Sequence, residues 1–538
     1  CSKGACPVGM ADAGGGARGA RRGQVGLGAP LVEVEVHLGA GLPNFTIVGL
    51  PAAAVRESRE RVRAALACCG YELPAGRITV NLAPADLPKE GGRYDLPIAI
   101  GILLASHQLR AGRALEACEL YGELGLGGEL RAVHGLLPAA AHAAVAGHDI
   151  VVPQANAWEA AMAAPRVAGA AHLREVCAWI AGDATACQRS AKVPGGASTP
   201  PAAIANAEAT ASVEATASDA VFELDLRDVR GQRTAKRALT VAAAGSHSVL
   251  LVGPPGSGKS MLAQRLPGLL PPLAPAEALE VATIASVGGR IVERANWGRR
   301  PFRSPHHTAS AHSIVGGGSR ARPGEVTLAH LGVLFLDELP EFDRRVLESL
   351  REPLENGRIA ITRAAYEFQY PARFQFVAAM NPCPCGYLGD ESGRCHCAPG
   401  DVERYRGRLS GPLLDRLDLR VLVPRVTESV CDEPAADEAS SAVLVRSVVA
   451  ARARQLERAG RLNAQLAVRE LAVHCALTPT CNSLMAASRR KLALSARSQH
   501  RILRVARTIA DLGACERIAP EHLAEAIQLR RGWEEATR

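Results

Sequence analysis

The sequence predicts an α/β chain in three parts: a mixed α+β segment, a parallel-sheet domain and a helical tail. Three observations carry this. Apolar strand patterns alternate with helical periodicity over residues 24–182. A Gly-rich loop joins a four-residue apolar strand to a helix at 249–266. Beyond Val443, Arg-rich helical periodicity takes over and strand signals vanish. At 538 residues the chain exceeds what one compact core usually holds. Apolar residues at 48% and charged residues at 22% exclude a wholly disordered chain. No apolar run reaches the roughly 18 residues a spanning helix needs, so no membrane partner is expected. A net charge of +8 permits a nucleic-acid partner without demanding one, because six Lys against 56 Arg reads as composition bias.

Taken in order, residues 1–23 lack an apolar signal core and an initiator Met, and read as an uncertain extension from a truncated or mis-called start. The alternation LVEVEVHLG from Leu31 and FTIV at 45–48 predicts a strand pair turning at 41–44. Helical spacing follows from Val55 to Cys69, then a strand at RITVNL, 77–82. Residues 183–220 are Ala/Ser/Thr/Pro without periodicity, a flexible linker by composition. The expected domains are therefore 24–182, a core at 221–430 and a helical subdomain at 431–538. Of 15 Cys, eleven are dispersed or terminal and read as small buried apolar residues in a reducing cytoplasm.

Chemistry concentrates in the core. VLLV at 249–252 runs into Gly253, Pro254, Pro255, Gly256, Ser257, Gly258, Lys259 and Ser260, a phosphate-binding loop in its strand–loop–helix context. The glycines let backbone N–H groups converge on phosphate at a helix N-terminus, Lys259 reaches the β/γ-phosphates and Ser260 ligates Mg²⁺, so ATP with Mg²⁺ is expected. Such a loop needs an acidic partner on a neighbouring strand. VLFL at 333–336 ends in Asp337, placed for the Mg²⁺ shell, and Glu338, placed to polarise the attacking water; a solvated turn is the bland alternative. A third strand, 374–380, ends at Asn381, whose amide would orient that water.

Cys383, Cys385, Cys395 and Cys397 fall within fifteen positions and suit a tetrahedral Zn²⁺ site, although C-x-C is rarer than C-x-x-C. Unliganded or redox-labile thiols and an iron–sulfur cluster are the alternatives, and His396 a substitute ligand. In FRSPHHT at 302–308, Arg303, His306 and His307 read as loop packing or DNA phosphate contacts rather than a metal site.

The order of P-loop, Asp-Glu strand and Asn strand resembles AAA+ ATPases, which implies an AAA+ P-loop ATPase core with a helical lid. By that resemblance GPLLDRLD at 411–418 carries an arginine finger, Arg416, acting on the neighbouring subunit's nucleotide; a surface Arg paired with Asp415 or Asp418 is the alternative. Arg497, opening a helix after Ser495, occupies a place like sensor 2, with Arg501 and Arg504 as rivals, and DVRGQ at 228–232 is similar to the stretch flanking adenine. GRIAITR at 357–363 reads as a hairpin arm. In related rings it faces the pore, which would give Arg358 and Arg363 to DNA phosphates; a charged edge strand is the alternative.

More closely, the chain resembles the ComM (YifB) family of magnesium-chelatase-like AAA+ ATPases. The likeness rests on NFTIVGLP (44–51), RITVNLAPADLPKEGGRYDLPIAIGIL (77–103), RPFRSPHHTAS (300–310), PGEVTLAHLGVLFLDELPEF (323–342), NPCPCGYLGD (381–390) and SGPLLDRLDL (410–419). The resemblance implies a homo-oligomeric, hexameric ring that binds DNA and drives branch migration in natural transformation. It also implies that the first domain is an α+β Lon-protease-like (ribosomal S5-like) fold. There PKEG at 88–91 leads to Asp95 near the position of the Lon nucleophile, and VHGLLP at 133–138 holds no Lys, so the domain is expected to be catalytically silent. A chelatase-type motor inserting Mg²⁺ into a tetrapyrrole and a MoxR-like protein-remodelling ATPase are the rival functions.

Overall fold

The computed structural model describes residues 16–23, 26–87, 89, 91–189, 224–317, 322–363, 366–389, 393–425, 439–492 and 494–535. The chain divides into two compact units, one of residues 1–207 with 274–299, the other of 208–273 with 300–538.

The first unit contains β1 (Gly16–Arg22), β2 (Leu31–Gly39), β3 (Asn44–Val48), β4 (Arg77–Ala83), β5 (Cys118–Leu120), a small ribbon of β6 (Glu123–Leu124) and β7 (Leu130–Arg131), β8 (Asp149–Pro153), β9 (Val167–Ala170) and β10 (Gln188–Arg189). Eight of these form one sheet in the order β10-β9-β8-β5-β1-β2-β4-β3. Period-two alternation decides which face of β2 is inside: Val32, Val34 and Val36 are buried while Leu31 and Glu33 turn outward. The helix Asp95–Ala105 is apolar nearly all round and is therefore buried on all sides. Gly101 lets it close on Val36, whose Cγ2 would sit 2.6 Å from any added Cβ.

Three expectations change here. β2 and β3 do not pair with each other: β4 lies between them, antiparallel to β2 and parallel to β3. Residues 16–22, expected as part of an extension, form an interior strand paired with β2 and β5. Gly and Arg give that strand no apolar alternation, but β2 pairs with it from Gly16 to Arg22 and β5 meets it at Ala20, so the backbone ladder fixes it in the sheet. Residues 183–189, expected in the linker, are described, and 188–189 close the sheet's other end against β9; residues 190–220, the rest of the expected linker, lie outside the described part.

Asp95 is fully buried. The Arg61 guanidinium donates to both its oxygens at 2.6 and 3.1 Å, and the Leu124 N–H donates at 3.1 Å. Burial raises its pKa, against the opposing pull of Arg61 and Ser58. This carboxylate is spent on holding the helix Ala53–Cys68 to its neighbour.

The continuous core expected at 221–430 is interrupted. The helix Pro275–Val287 packs Leu279 and Ala282 into the first unit's cluster with Tyr121, Leu136, Leu137 and Ala140. The Ser286 hydroxyl donates to buried Glu159, the Ser286 carbonyl accepts from Gly135 N–H at 3.0 Å, and Trp297 meets Trp158 edge-on. Apolar surface on this helix, matched to a hydrophobic cleft, outweighs its position in the chain.

The second unit contains β11 (Val249–Val252), β12 (Phe302–Arg303), the ribbon β13 (Gly316–Gly317) and β14 (Arg322–Pro323), β15 (Val333–Leu336), the hairpin β16 (Arg358–Arg363) and β17 (Tyr366–Pro371), β18 (Gln375–Met380) and β19 (Leu419–Leu422). Five strands make a wholly parallel sheet, β12-β15-β18-β11-β19. A parallel sheet is covered on both faces, so β11, β15 and β18 are buried throughout. The tail is helical among the described residues: Ser441–Ala459, Val468–His474, Pro479–Leu492, Ala496–Leu512 and Pro520–Glu535. Val448, Ile502, Val505 and Leu523 share one core with Val249, Leu251 and Phe335.

Candidate active site

Because the five strands are parallel, their carboxyl ends meet at one edge, and the order of strands reverses at β11, where the chain passes from β18 on one side of it to β19 on the other. That leaves a crevice beyond its end. The loop 253–258 fills it. Gly253 passes so near the Val423 carbonyl that a side chain would collide, and Gly256 and Gly258 hold φ of 76° and 90°, which favour glycine. The loop feeds the helix Lys259–Arg265, whose free N–H groups face the crevice.

Lys259 is 8% exposed. Its ammonium donates to the Gly253 and Pro254 carbonyls at 2.8 Å each and to Asn381 Oδ1 at 3.3 Å. Burial pushes its pKa down, and the Asp337 and Glu338 charges push it back up. The Ser260 hydroxyl donates to Asp337 Oδ2 at 2.6 Å. A hydroxyl and a carboxylate so close are hard oxygen donors of the kind Mg²⁺ takes. Glu338 follows in the left-handed region, φ 52°, its N–H donating to Asp337 Oδ1 at 2.9 Å. Lys259, Ser260, Asp337, Glu338 and Asn381 are thus gathered at one edge, from three strands.

A sixth residue joins them. His307 Nδ1 lies 3.2 Å from Glu338 Oε2, its ring against His306 at 4.1 Å and edge-on to Phe342. The reason is topological. β12 pairs with β15 in parallel, Phe302 opposite Val333, so the chain leaving β12 emerges beside the chain leaving β15. The adjacent His pair was visible in the sequence; the two-residue strand that delivers it was not. Arg303 turns away and forms a two-pronged pair with Glu325 at 2.5 and 2.7 Å.

Arg416 and Arg497 lie elsewhere. Arg416 precedes β19, and its carbonyl accepts from the Ser248 hydroxyl at 2.8 Å, at the amino end of β11. It therefore stands at the sheet edge opposite its own phosphate loop. The side chain is 5% exposed and pairs with Glu355 rather than with Asp415 or Asp418. Arg497, 54% exposed, stands 3.7 Å from the same Glu355 carboxylate. Arg501 pairs with Asp418, and Arg504 donates to the Leu466 carbonyl. Asp418 also accepts from His247 Nδ1 at 3.2 Å and Ser248 N–H at 3.3 Å. Burial alone would raise its pKa; the Arg501 charge and the His247 bond reverse that and hold the carboxyl well below the usual range.

Arg358 is exposed at the base of the β16–β17 hairpin, while the side chain of Arg363 lies outside the described part. In DVRGQ at 228–232, Gln232 Nε2 donates to the Ser257 and Pro424 carbonyls at 3.3 and 2.6 Å. The sulfurs of Cys383, Cys385, Cys395 and Cys397 lie within 4.8 Å of one another, a group able to hold a metal.

Known proteins are similar to this chain. The family model described as magnesium chelatase, subunit ChlI, matches residues 225–431. A model for subunit ChlI of Mg-chelatase matches 34–156, and one for the ChlI C-terminal part matches 438–530. The protein YifB of Salmonella typhimurium is 47% identical over 510 residues, 95% of this chain and 96% of that one. The competence protein ComM of Haemophilus influenzae is 46% identical over 510 residues, with the same coverage. The magnesium-chelatase 38 kDa subunit of Rhodobacter capsulatus is 26% identical over 223 residues, 37% of this chain and 56% of its own. The stretch matched at 225–431 spans the phosphate loop, the Asp337–Glu338 strand and Asn381, membership of this family implies ATP hydrolysis with Mg²⁺, and the chain belongs to the ComM (YifB) family of magnesium-chelatase-like AAA+ proteins.

Proposed function

We propose that this chain is a Mg²⁺-dependent ATP hydrolase that assembles as a homo-oligomeric ring, a hexamer, and moves branched DNA through recombination intermediates during natural transformation, in the cytoplasm. One observation supports the reading above the others. Lys259, Ser260, Asp337, Glu338 and Asn381 converge at one sheet edge, while Arg416 and Arg497 converge at the opposite edge of the same sheet. A guanidinium there reaches a γ-phosphate only on another copy of the chain.

In this reading Lys259 exchanges its two loop carbonyls for the β/γ-phosphates, and the loop N–H groups complete the cradle. Ser260 and Asp337 hold Mg²⁺, which neutralises charge across the phosphates. Glu338 takes the proton of the attacking water and Asn381 orients that water. Arg416 leaves Glu355 for the neighbour's developing charge, and Arg497, the sensor 2 candidate, joins it from the same carboxylate. Arg358 and Arg363 meet DNA phosphates from the hairpin. Zn²⁺ is the metal proposed for the four cysteines. The printed name of the Haemophilus relative supports the link to competence.

The three ChlI family models and the Rhodobacter subunit favour a second reading, a chelatase-type motor acting on a tetrapyrrole through partner subunits; a MoxR-like remodelling ATPase is the remaining alternative. ATP turnover with and without Holliday-junction DNA, at low and high salt, separates them. A branch-migration motor is stimulated at low salt and loses the stimulation at high salt. Turnover indifferent to DNA removes the DNA reading, and equal turnover in Glu338→Gln removes Glu338 from its role.

A further inference from the structure

The loop carrying the four cysteines begins two residues after Asn381, and its geometry is that of a built metal site. Cys383 and Cys385 Sγ are 3.3 Å apart, Cys383 and Cys395 3.8 Å, Cys385 and Cys395 3.6 Å. A disulfide sets sulfurs about 2 Å apart. Four sulfurs around one Zn²⁺ at ~2.3 Å lie about 3.8 Å from each other, the edge of that tetrahedron. The Leu388 N–H also donates to Cys383 Sγ at 3.3 Å, the backbone bond that fixes a thiolate ligand in place. Soft thiolates in this number select Zn²⁺ over the hard ion suited to Ser260 and Asp337.

The same loop forms a wall of the nucleotide crevice. Gly386, one residue past Cys385, has φ of 87°, and a Cβ there would sit 2.6 Å from Pro255 Cδ and 3.7 Å from the Asn381 side chain. The loop backbone is thus pressed on the phosphate loop at Pro255. Its base is fixed from the other side by Arg406, whose guanidinium donates twice to the Pro382 carbonyl at 3.1 and 3.2 Å. Cys383 itself is completely buried. The pair at 395 and 397 meets the pair at 383 and 385 through thiol contacts, and beside them the Arg394 guanidinium lies 4.6 Å over the Tyr387 ring. Four ionised thiolates without a cation would repel one another.

We propose that the four thiolates bind one Zn²⁺ per chain, and that the closed knot braces the phosphate loop through the Gly386–Pro255 contact, so that zinc occupancy sets nucleotide affinity. This rests on the reading that residues 253–260 bind nucleotide. The knot is a part of the ATP site outside the loop itself, and it makes ATP binding sensitive to thiol oxidation and to chelators.

The test uses the full chain. Zinc is quantified by elemental analysis, and the dissociation constant of a fluorescent ATP analogue is measured by titration, with thermal unfolding as a check on integrity. Wild type is expected to carry one zinc. The double variant Cys395→Ser/Cys397→Ser is expected to lose zinc and to bind the analogue at least about tenfold more weakly, roughly 1.4 kcal/mol. Wild type stripped by a mercurial and chelator should weaken likewise and recover when Zn²⁺ is returned. Gly386→Val leaves all four ligands in place; it should keep its zinc and still bind the analogue more weakly. Absence of stoichiometric zinc, or iron with sulfide in its place, overturns the metal assignment. Zinc-free protein with unchanged nucleotide affinity overturns the brace. Zinc-loaded wild type that binds no nucleotide overturns the reading of the phosphate loop, and the brace with it.

Discussion

The two sheets treat their carboxylates in opposite ways. In the first unit Asp95, Glu119 and Glu159 are buried and consumed by neighbours: Arg61 on Asp95, Arg22, His148 and Tyr121 on Glu119, Ser286 and Asn156 on Glu159. In the second unit Asp337 and Glu338 stand past the end of a strand, and the Glu338 side chain is 53% exposed. A buried carboxylate whose lone pairs are all taken is a structural fastener. One held at a strand end, with an oxygen facing a crevice, is available to a metal, a water or a phosphate-bound ion. The contrast explains why equally conspicuous acids in the two units earn different roles.

The largest effects test the catalytic side. Glu338→Gln is expected to lower ATP turnover by about 10²–10⁴-fold with nucleotide binding retained, as measured by steady-state kinetics and titration. Arg416→Ala should lower turnover by about 10³-fold. An equimolar mixture of Arg416→Ala and Lys259→Ala chains should regain part of the activity, since one interface then combines an intact Lys259 with an intact Arg416. A mixture as inactive as its components breaks the two-edge reading.

On the structural side, Arg61→Ala strands the buried Asp95 and should destabilise the first unit by about 3–5 kcal/mol in denaturant melts, with the KM for ATP unchanged. An altered KM with unchanged stability would mean that Asp95 is not the fastener described.

Asp418 gives a pH test. Its folded pKa lies below the unfolded value of about 3.9, so its contribution is complete above that value and is lost as pH falls through the folded pKa. Asp418→Asn should therefore lower the melting temperature at pH 7 and flatten the acid limb of the stability curve below about pH 4. A parallel acid limb in both proteins contradicts the assignment.

The smallest effect is expected at His307. His307→Ala should reduce kcat severalfold and leave nucleotide affinity intact, with His307→Asn recovering part of the loss by restoring a donor to Glu338. Equal kcat in all three proteins would show the 3.2 Å pair to be incidental.

What the sequence made legible was local. The phosphate loop, the Asp337–Glu338 pair, Asn381 and the cysteine group each sit within a short span where a strand pattern meets a turn, and periodicity finds such spans. What escaped it was pairing at a distance. Residues 16–22 become an interior strand through hydrogen bonds to β2 and β5, which Gly and Arg do not advertise. FTIV at 45–48 joins β4 rather than the strand before it, because sheet order is set by packing between remote segments. His307 reaches Glu338 through a two-residue strand too short for any pattern, and Glu355 gathers Arg416 and Arg497 from far along the chain.

The helix Pro275–Val287 has a practical corollary for dissecting the molecule. A truncation beginning after residue 223, designed to isolate the hydrolase, would carry this helix with Leu279 and Ala282 bare, while the amino-terminal fragment would be left with an unfilled cleft at Leu136 and Ala140. Each piece is expected to aggregate when expressed alone and to gain solubility when both are co-produced. The smallest well-behaved recombinant product is therefore the uncut polypeptide.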